Sequence, residues 1–170
     1  MKILNRYTNE VIYEDKEIET IRELVEQAIK SGARLKGADL KGADLSSADL
    51  NGLNLSSADL SGSNLNNACL NNACLSSADL RGACLSSADL RGADLSSAVG
   101  NNREIITLFI NKYTVVFTRD TIQIGCKNYS IESWKNFSDE EILEMDSGAL
   151  KWWKKWKDFI FLAIELSKED

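Results

Sequence analysis

The chain has 170 residues, 44% of them hydrophobic, which is enough to bury a core and argues against an intrinsically disordered protein. Its 26 acidic and 20 basic residues give a net charge of −6, so direct binding to nucleic acid through phosphate contacts is not expected. The absence of histidine, the commonest general base and a frequent metal ligand, argues against hydrolytic and metal chemistry.

The sequence also favours an intracellular location. It turns polar within its first six residues, and no apolar run is long enough for a signal peptide or a membrane span. The four cysteines are sparser than in a secreted disulfide scaffold, so we interpret them as free thiols. We therefore expect a cytoplasmic protein without a membrane partner.

Residues 1–32 are predicted to form a separate N-terminal part. Residues 2–13 have the pattern of a short hairpin that turns at residues 8–10. A helix is predicted next, because Thr20 and Glu23 have the spacing of a capping box. The apolar residues on one face of this helix are Ile21, Leu24, Val25, Ala28 and Ile29. We expect the helix to cover the open end of the repeat region that follows.

A five-residue repeat dominates the middle of the chain. Leucine occurs at every fifth residue from Leu35 to Leu95, which gives thirteen consecutive units. Alanine stands two residues before each leucine, except where Leu53 and Ser63 replace it. The residue between them is Asp, Asn or Cys, except at Arg34. Because a period of five fits neither a helix nor a strand, the chain must change direction once per unit.

The two residues after each leucine are small or polar in most units, which is typical of a turn. The second of them is often a residue that readily adopts positive φ. These residues are Gly37, Gly42, Gly52, Gly62, Gly82, Gly92, Asn67 and Asn72. Serine at the remaining corners predicts a second turn type. Repeated corners of one hand close a square, and stacked squares place the leucines inside, with alanine where space is tightest.

The motif Ala-(Asp/Asn)-Leu-x-x, matched over 65 residues, resembles that of the pentapeptide repeat family. The resemblance implies a right-handed quadrilateral β-helix with four units per coil. Thirteen units then imply about three coils. We expect residues 33–99 to form this β-helix and the fold class to be mainly β.

Residues 100–170 lose the five-residue period and are predicted to form a C-terminal α+β cap. The stretch 105–125, rich in Ile, Val, Thr and Phe, predicts two or three short strands. Ser138 starts a second capping box and predicts a short helix, and a longer helix is predicted over residues 149–166.

The C-terminal part also carries a second resemblance. The residues concerned are Ile124, Gly125, Cys126, Trp134, Met145, Asp146 and the run from Trp152 to Trp156. They resemble the C-terminal region of uncharacterised bacterial and phage pentapeptide repeat proteins. This resemblance brings no known activity with it.

One face of the predicted β-helix carries an acidic column. With four units per coil, Asp39, Asp59 and Asp79 stack directly above one another. Some members of the pentapeptide repeat family inhibit DNA-handling enzymes such as gyrase by imitating the charge of a DNA backbone. The resemblance therefore makes this column a candidate interaction surface. Lys41 and Arg81 lie two residues after members of the column and offset part of its charge.

Three cysteines of the repeat, Cys69, Cys74 and Cys84, have a spacing that invites comparison with a metal site. Their side chains are predicted to project from three different walls, so they cannot converge on one tetrahedral ion. Cys126, in the C-terminal part, is predicted to be buried as a small apolar residue. We therefore expect no metal, no cofactor and no catalytic residue.

The predicted C-terminal helix combines aromatic residues and lysines. The apolar positions at helical spacing are Trp152, Trp153, Trp156, Phe159, Ile160 and Ala163. Packing of this face on the protein's own sheet is the favoured interpretation. A homodimer contact, or a membrane or nucleic-acid role, is the alternative. Trp153 is predicted to stay partly exposed, and with Trp156 it forms a second candidate interaction surface.

The sequence favours a non-catalytic protein-interaction or structural module with an unknown protein partner. It is expected to be a monomer, or a homodimer through its C-terminal part. The alternative is a phage-encoded DNA-mimic inhibitor of a DNA-handling enzyme such as gyrase. An enzyme is not expected, because the sequence has no nucleophile with a base, Gly-rich phosphate loop or ligand cluster.

Overall fold

The computed structural model describes residues 1–167 and has a β-helix at its centre. A hairpin and a helix precede the β-helix, and an antiparallel sheet with helices follows it. The elements, in chain order, are β1 (Lys2–Asn5), β2 (Val11–Glu14), α1 (Ile21–Lys30), β3 (Ala38–Asp39), β4 (Ile106–Ile110), β5 (Tyr113–Phe117), β6 (Thr121–Ile124), β7 (Lys127–Ser130), α2 (Ile131–Asn136), α3 (Asp139–Met145) and α4 (Ala149–Leu166). No helix within the described range is long and apolar enough to cross a membrane.

Backbone hydrogen bonds attach the N-terminal hairpin to the first coil of the β-helix. β1 pairs with β2 in antiparallel fashion and, on its other edge, with β3, which belongs to the repeat region. The turn between β1 and β2 contains Asn9 in the left-handed region, at φ 61°. The hairpin therefore lies where the sequence predicts it and continues as a sheet into the repeat.

Helix α1 packs on the same end of the β-helix. It begins after Thr20, whose hydroxyl oxygen accepts a hydrogen bond of 3.2 Å from the backbone N–H of Glu23. A capping box has two hydrogen bonds, and of these the described residues form only the one accepted by Thr20. Leu24, Val25 and Ala28 of α1 are 0% exposed and belong to the same apolar cluster as the leucines of the repeat.

Residues twenty positions apart pair in the repeat region, so each coil has four five-residue units. The central residues of the units form four parallel columns: Asp39, Asp59, Asp79 and Val99; Asp44, Asn64 and Cys84; Asp49, Cys69 and Asp89; Asn54, Cys74 and Asp94. In the first column the Leu40 N–H donates to the Asp59 carbonyl, and the Asp59 N–H donates to the Ala38 carbonyl, both at 2.9 Å. The ladder reaches Val99, which occupies the central position of a unit beyond Leu95.

The repeat leucines line the interior of the β-helix. At every fifth position from Leu35 to Leu85 the leucine is at most 2% exposed, whereas Leu90 in the last coil is partly exposed. Ser63, which replaces an alanine, is fully buried, but its hydroxyl donates to the Leu60 carbonyl at 2.7 Å. Its burial therefore leaves no unpaired hydroxyl in the apolar interior.

All corners of the β-helix share one backbone feature. The second residue of each corner has φ between 55° and 70°, as in Gly42 at 65°, Ser47 at 58° and Asn67 at 59°. Glycine, asparagine and serine corners therefore share the left-handed region at this residue, and the second turn type at the serine corners stays a prediction. Serine adopts the left-handed conformation here because each corner stacks on its equivalent in the next coil, as in the 2.9 Å bond from the Ser47 N–H to the Asn66 carbonyl.

The C-terminal part is an antiparallel sheet covered by helices. Its strands follow the order β4-β5-β6-β7, so neighbours in the chain are also neighbours in the sheet. The sequence predicts two or three strands up to residue 125, but a fourth strand, β7, continues to Ser130. The pattern misses β7 and the short helix α2 because the polar run Lys127–Ser130 lacks the apolar alternation of a strand. α3 and α4 begin where the sequence predicts them.

Candidate interaction surfaces

The predicted acidic column lies on one wall of the β-helix. Asp39, Asp59 and Asp79 follow one another in a single parallel ladder. Their exposure differs, because Asp39 is exposed, Asp59 is partly buried and Asp79 is 7% exposed. The three carboxylates therefore do not form a uniformly accessible row.

Two of these carboxylates lie beside arginines. Arg81 donates from Nε to Asp79 Oδ1 at 2.9 Å and from Nη2 to Asp79 Oδ2 at 2.6 Å. This hydrogen bonding by Arg81 lowers the pKa of Asp79 below its usual value. The Arg6 guanidinium, from the N-terminal hairpin, lies 3.8 Å from Asp59 Oδ2. Within residues 1–167, Asp39 alone of the three has no ion pair, so the column offers little uncompensated negative charge.

The central Asp and Asn side chains hydrogen-bond to the backbone of their own corner. Asp59, for example, accepts a bond of 3.0 Å through Oδ1 from the N–H of Ser61, two residues later. The same contact is made by Asp39, Asp44, Asp49, Asn54, Asn64, Asp79, Asp89 and Asp94. Asp and Asn are favoured at this position because their short side chains stabilise turns in this way. These turn-stabilising hydrogen bonds therefore explain why Asp and Asn occupy the central positions of the repeat units.

The cysteines lie apart from one another. Cys69, Cys74 and Cys84 belong to three different columns, as the sequence predicts. Residues 1–167 contain no group of Cys, Asp and Glu side chains suited to a metal ion. The expectation that Cys126 is buried is wrong. It is exposed, because it lies with Gly125 in the turn between β6 and β7.

The inner face of α4 packs on the protein's own sheet. The expectation that Trp153 stays partly exposed is wrong, since it is 5% exposed. Its ring lies 5.1 Å from that of Trp134 and 5.8 Å from that of Phe161. Trp152 donates its indole N–H to the Ile110 carbonyl at 3.1 Å. Trp153 is covered because α2, which the sequence pattern misses, supplies Trp134.

The outer face of α4 carries exposed apolar side chains. Phe159 is 48%, Leu162 52% and Leu166 57% exposed. Their spacing of three and four residues places them on one face of the helix. Trp156 is partly exposed and its ring lies 6.1 Å from that of Phe159, so it continues this face. We call Trp156, Phe159, Leu162 and Leu166 the α4 stripe.

Trp156 is thus the one of the two predicted tryptophans that lies on an exposed face. Leu162 and Leu166 are not among the apolar positions predicted from the sequence, although their spacing from Phe159 indicates the same helix face. That signal is ambiguous without the fold, because α4 is apolar on two faces and only one of them is covered by the sheet.

Lysines surround the N-terminal half of the α4 stripe. The exposed lysines are Lys151, Lys154, Lys155 and Lys157. Lys155 Nζ lies 5.1 Å from the centre of the Trp156 ring. Lys154 forms an ion pair with Asp139 of α3. A molecule that covers this face must therefore bring apolar groups, and it gains from acidic groups near the lysines.

A four-sided β-helix with an internal leucine ladder is a solenoid of five-residue repeats. The model of the pentapeptide repeat family matches residues 31–67 and 58–96, with eight copies of the repeat. The chain therefore belongs to the pentapeptide repeat proteins, which form right-handed β-helices.

Three solved structures of pentapeptide repeat proteins are similar to parts of this chain. One from the cyanobacterium Cyanothece 51142 is 38% identical over 36% of this chain and 43% of its own, with a TM-score of 0.36. One from the thylakoid lumen of Arabidopsis thaliana is 40% identical over 41% of this chain and 46% of its own, with a TM-score of 0.36. One from Nostoc PCC 7120 is 36% identical over 51% of this chain and 79% of its own, with a TM-score of 0.30. This chain spans less than half the length of the first two proteins. The comparison with curated proteins gives no match.

Proposed function

We propose that this protein is a non-catalytic protein-interaction module in which the β-helix is a rigid support and the α4 stripe is the contact face. The observation that carries the proposal is the exposure of three large apolar side chains, Phe159, Leu162 and Leu166, on one face of α4. Contiguous exposed apolar surface is typical of protein-binding sites. The pentapeptide repeat fold supports the coarser statement that the chain is a structural or interaction module built on repeats.

In this proposal, residues 1–32 and 100–170 act as caps on the β-helix of residues 33–99. An uncapped β-helix exposes strand edges and apolar core at both ends. β1 continues the sheet at the first coil, and Thr107 of β4 donates from Oγ1 to the Ala98 carbonyl of the last coil at 2.8 Å. Such contacts support caps that hold α4 in a defined position on the β-helix.

The proposed partner is a protein whose contact surface combines apolar side chains with acidic ones. The apolar side chains would cover the α4 stripe, and the acidic ones would lie near the exposed lysines of the same helix. A second copy of this chain is the competing occupant, because its α4 stripe is also apolar. The mass of the purified protein separates these two occupants.

Mimicry of DNA by the acidic column is the weaker candidate. An inhibitor of this kind competes through negative charge that matches the phosphates of DNA. Arg81 pairs with Asp79 and Arg6 lies near Asp59, which lowers the charge available to a DNA-binding enzyme. Partner binding that depends on the column and on low salt would instead support mimicry.

The test compares partner binding by the intact protein and by two matched double variants. Phe159→Ser with Leu162→Ser removes the centre of the α4 stripe, and Asp39→Asn with Asp59→Asn removes charge from the column. Proteins are captured from a bacterial extract at low and high salt, identified by mass spectrometry, and titrated again in purified form. We expect the intact protein and the column variant to bind the same partner at both salt concentrations. The stripe variant should not bind it.

The other outcomes separate the candidate functions. Loss of the partner in the column variant, together with release at high salt, would support charge mimicry instead. Equal binding by the stripe variant and the intact protein would contradict the proposal. A salt-resistant dimer in light scattering that the stripe variant abolishes would identify a second copy as the occupant. Circular dichroism checks that both variants fold, which is expected because these positions are not buried.

A further inference from the structure

The last coil of the β-helix, residues 80–99, presents four walls, and each has backbone groups that a following coil would pair. Side chains of the C-terminal part bond to three of these walls. On one wall, Asn128 Nδ2 donates to the Ala93 carbonyl at 2.9 Å and Gln123 Oε1 accepts from the Leu95 N–H at 2.7 Å. The corresponding bonds on two other walls run from Asn101 Nδ2 to the Ala83 carbonyl at 2.9 Å and from Thr107 Oγ1 to the Ala98 carbonyl at 2.8 Å.

The fourth wall, Ala88 to Leu90, lacks such a closure. One coil below, the Leu70 N–H donates to the Asp89 carbonyl at 2.8 Å, and the Ala68 carbonyl accepts from the Asp89 N–H at 2.9 Å. The equivalent groups of the last coil, the Leu90 N–H and the Ala88 carbonyl, have no hydrogen-bond partner among residues 1–167. Ala88 and Leu90 are also partly exposed, whereas Ala68 is 1% and Leu70 0% exposed.

This open wall lines a cleft between the last coil and the C-terminal sheet. The cleft has a volume of about 930 Å³, near the upper end of the range for ligand sites of folded proteins. Its apolar lining residues are Leu85, Ala88, Leu90, Ile106, Phe117 and Ile164. The cleft therefore combines an unpaired strand edge with an apolar floor, which is the combination that binds an extended peptide.

The cleft is lined by three basic and three acidic residues, and two of its arginines are available to a carboxylate of an occupant. The charged lining residues are Asp89, Arg91, Arg103, Glu104, Arg119 and Asp120. Arg91 is held by Asp89, to which it donates from Nε at 2.8 Å, and Glu104 accepts hydrogen bonds from two side chains of the protein. Arg103 and Arg119 are exposed and form no ion pair with a described residue. A carboxylate of the occupant could pair with either guanidinium.

We propose that the wall from Ala88 to Leu90 binds an extended segment of a protein partner, which adds to the β-helix as a parallel strand in place of a further coil. The central residue of the segment donates its N–H to the Ala88 carbonyl and accepts from the Leu90 N–H, which repeats the ladder of the coil below. Its two neighbours point into the cleft and are small or apolar. An acidic side chain at the central position of the segment, as in the repeat itself, meets Arg103 or Arg119. This surface is separate from the α4 stripe and does not depend on it.

The test uses a synthetic peptide with the sequence of residues 46–55 of this chain, Ser-Ser-Ala-Asp-Leu-Asn-Gly-Leu-Asn-Leu. This peptide has small or apolar residues on both sides of its aspartate. It is titrated into the full-length protein, and amide exchange is followed by NMR. Binding should slow exchange of the Leu90 amide, and N-methylation of the peptide aspartate should abolish binding, because the methyl group removes the N–H that meets Ala88. Arg119→Glu should weaken binding roughly threefold or more, and the control Lys157→Glu should not.

The remaining outcomes overturn the proposal. Binding that leaves the Leu90 amide unchanged, or equal binding of the N-methylated peptide, would place the peptide elsewhere on the protein. Failure of the peptide to bind at its highest soluble concentration would also reject the site. A Leu90 amide that is already protected in the free protein would show that the wall is occupied, and light scattering would then reveal whether the occupant is a second copy. The Phe159→Ser, Leu162→Ser variant should bind the peptide normally, so this result is independent of the α4 stripe.

Discussion

At the scale of the residue, the side chain at the second position of each corner determines the free-energy cost of the left-handed backbone conformation. For residues other than glycine this conformation costs about 1 to 2 kcal/mol. Five corners nevertheless have serine, at Ser47, Ser57, Ser77, Ser87 and Ser97. These residues have φ 55° to 59°, and Ser47, Ser57 and Ser77 each donate a backbone N–H to the adjacent coil, which fixes the position of their corners. Serine corners are therefore sites of stored strain.

Separate substitutions at the corners of two adjacent units test this cost. Ser47→Gly should raise the free energy of unfolding by roughly 0.5 to 1 kcal/mol, because relief of strain exceeds the added freedom of the unfolded chain. Gly42→Ala should lower it by about 1 kcal/mol through backbone strain alone. A Cβ added there has no heavy atom within 4 Å. Urea unfolding measures both effects, and Ser47→Ala, which keeps the strain, should change little. A loss of stability in Ser47→Gly would show that the corner is not strained.

Asp146 should make stability depend on pH at the acidic end. A hydrogen bond of 2.8 Å from the Gly148 backbone N–H and contact with Lys112 Nζ at 2.9 Å lower the pKa of Asp146 to about 2. An unfolded aspartate has a pKa of about 3.9. Because the folded pKa is the lower one, the contribution of Asp146 to stability is complete above about pH 4 and is lost as pH falls toward 2.

The comparison of Asp146→Asn with the intact protein measures this contribution. The deficit in unfolding free energy of Asp146→Asn should stay constant above about pH 5 and shrink between about pH 4 and 2. Urea unfolding at a series of pH values gives the deficit. Lys112→Met should retain part of the pH dependence, since the Gly148 N–H still favours the ionised form. A deficit that is the same at every pH would contradict the assignment.

At the scale of the element, the C-terminal sheet closes the β-helix with polar side chains that take the place of a strand. Gln123 of β6 is 4% exposed, accepts from the Leu95 N–H at 2.7 Å and donates from Nε2 to Asp94 Oδ1 at 2.7 Å. One buried amide thus satisfies two groups of the last coil. The leucine core of the β-helix and the aromatic core of the C-terminal part form separate clusters. Polar contacts such as those of Gln123 link the β-helix to the C-terminal part, and Ile105 and Val116 of the C-terminal part pack in the leucine core.

Gln123→Leu should destabilise the protein although it adds apolar surface. The substitution leaves the Leu95 N–H buried without its acceptor, and an unsatisfied group of this kind costs about 1 to 3 kcal/mol. Thermal or urea unfolding measures the change. The control is Gln27→Leu on the exposed side of α1, which should stay within about 0.5 kcal/mol of the intact protein. Equal stability of the two variants would mean that Gln123 does not close the last coil in solution.

Two leucines of the same wall should differ in their contribution to stability. Leu70 is 0% exposed in the middle of the stack, and Leu70→Ala should cost about 2 to 5 kcal/mol. Leu90 lies one coil further and is partly exposed to the cleft, so Leu90→Ala should cost less than half as much. Urea unfolding of the two variants gives the comparison. Equal losses would indicate that the cleft beside Leu90 is filled in solution.

The elements could be predicted from the sequence where a local rule governs them. The period of five fixes four units per coil once the chain is closed into a square, and Thr20 and Ser138 mark the starts of α1 and α3. β7 and α2 were not predictable, because their short polar sequences are stabilised by the sheet that they join rather than by a pattern of their own.

The candidate surfaces were predictable to a similar extent. The stacking of the acidic column follows from the repeat, and so does the proximity of Arg81, two residues from Asp79. The approach of Arg6 to Asp59 depends on how the N-terminal hairpin packs on the first coils, which no local pattern determines. The burial of Trp153 likewise depends on a contact with another element.

At the scale of the whole molecule, the two ends of the β-helix are closed in different ways. At the first coil, β1 pairs with β3 by backbone hydrogen bonds and α1 covers the core. At the last coil, three walls are bonded by separate side chains, one or two to a wall, and the wall at Leu90 receives no described partner. A backbone sheet closes an edge cooperatively, whereas single side chains can be lost one at a time. Local opening should therefore begin at the last coil.

Amide exchange over the whole chain is expected to reveal this asymmetry. The Leu65 N–H donates to the Cys84 carbonyl at 2.7 Å within the stack and should exchange at a rate close to that of global unfolding. The Leu95 N–H, which Gln123 accepts at 2.7 Å, should exchange at an intermediate rate, and the Leu90 N–H should exchange fastest. Gln123→Leu should accelerate exchange at Leu95 without further effect at Leu90. Equal protection of the Leu90 and Leu65 amides in a monomer would contradict this expectation. The last coil would then be closed more completely than its hydrogen bonds indicate, and local opening would begin elsewhere.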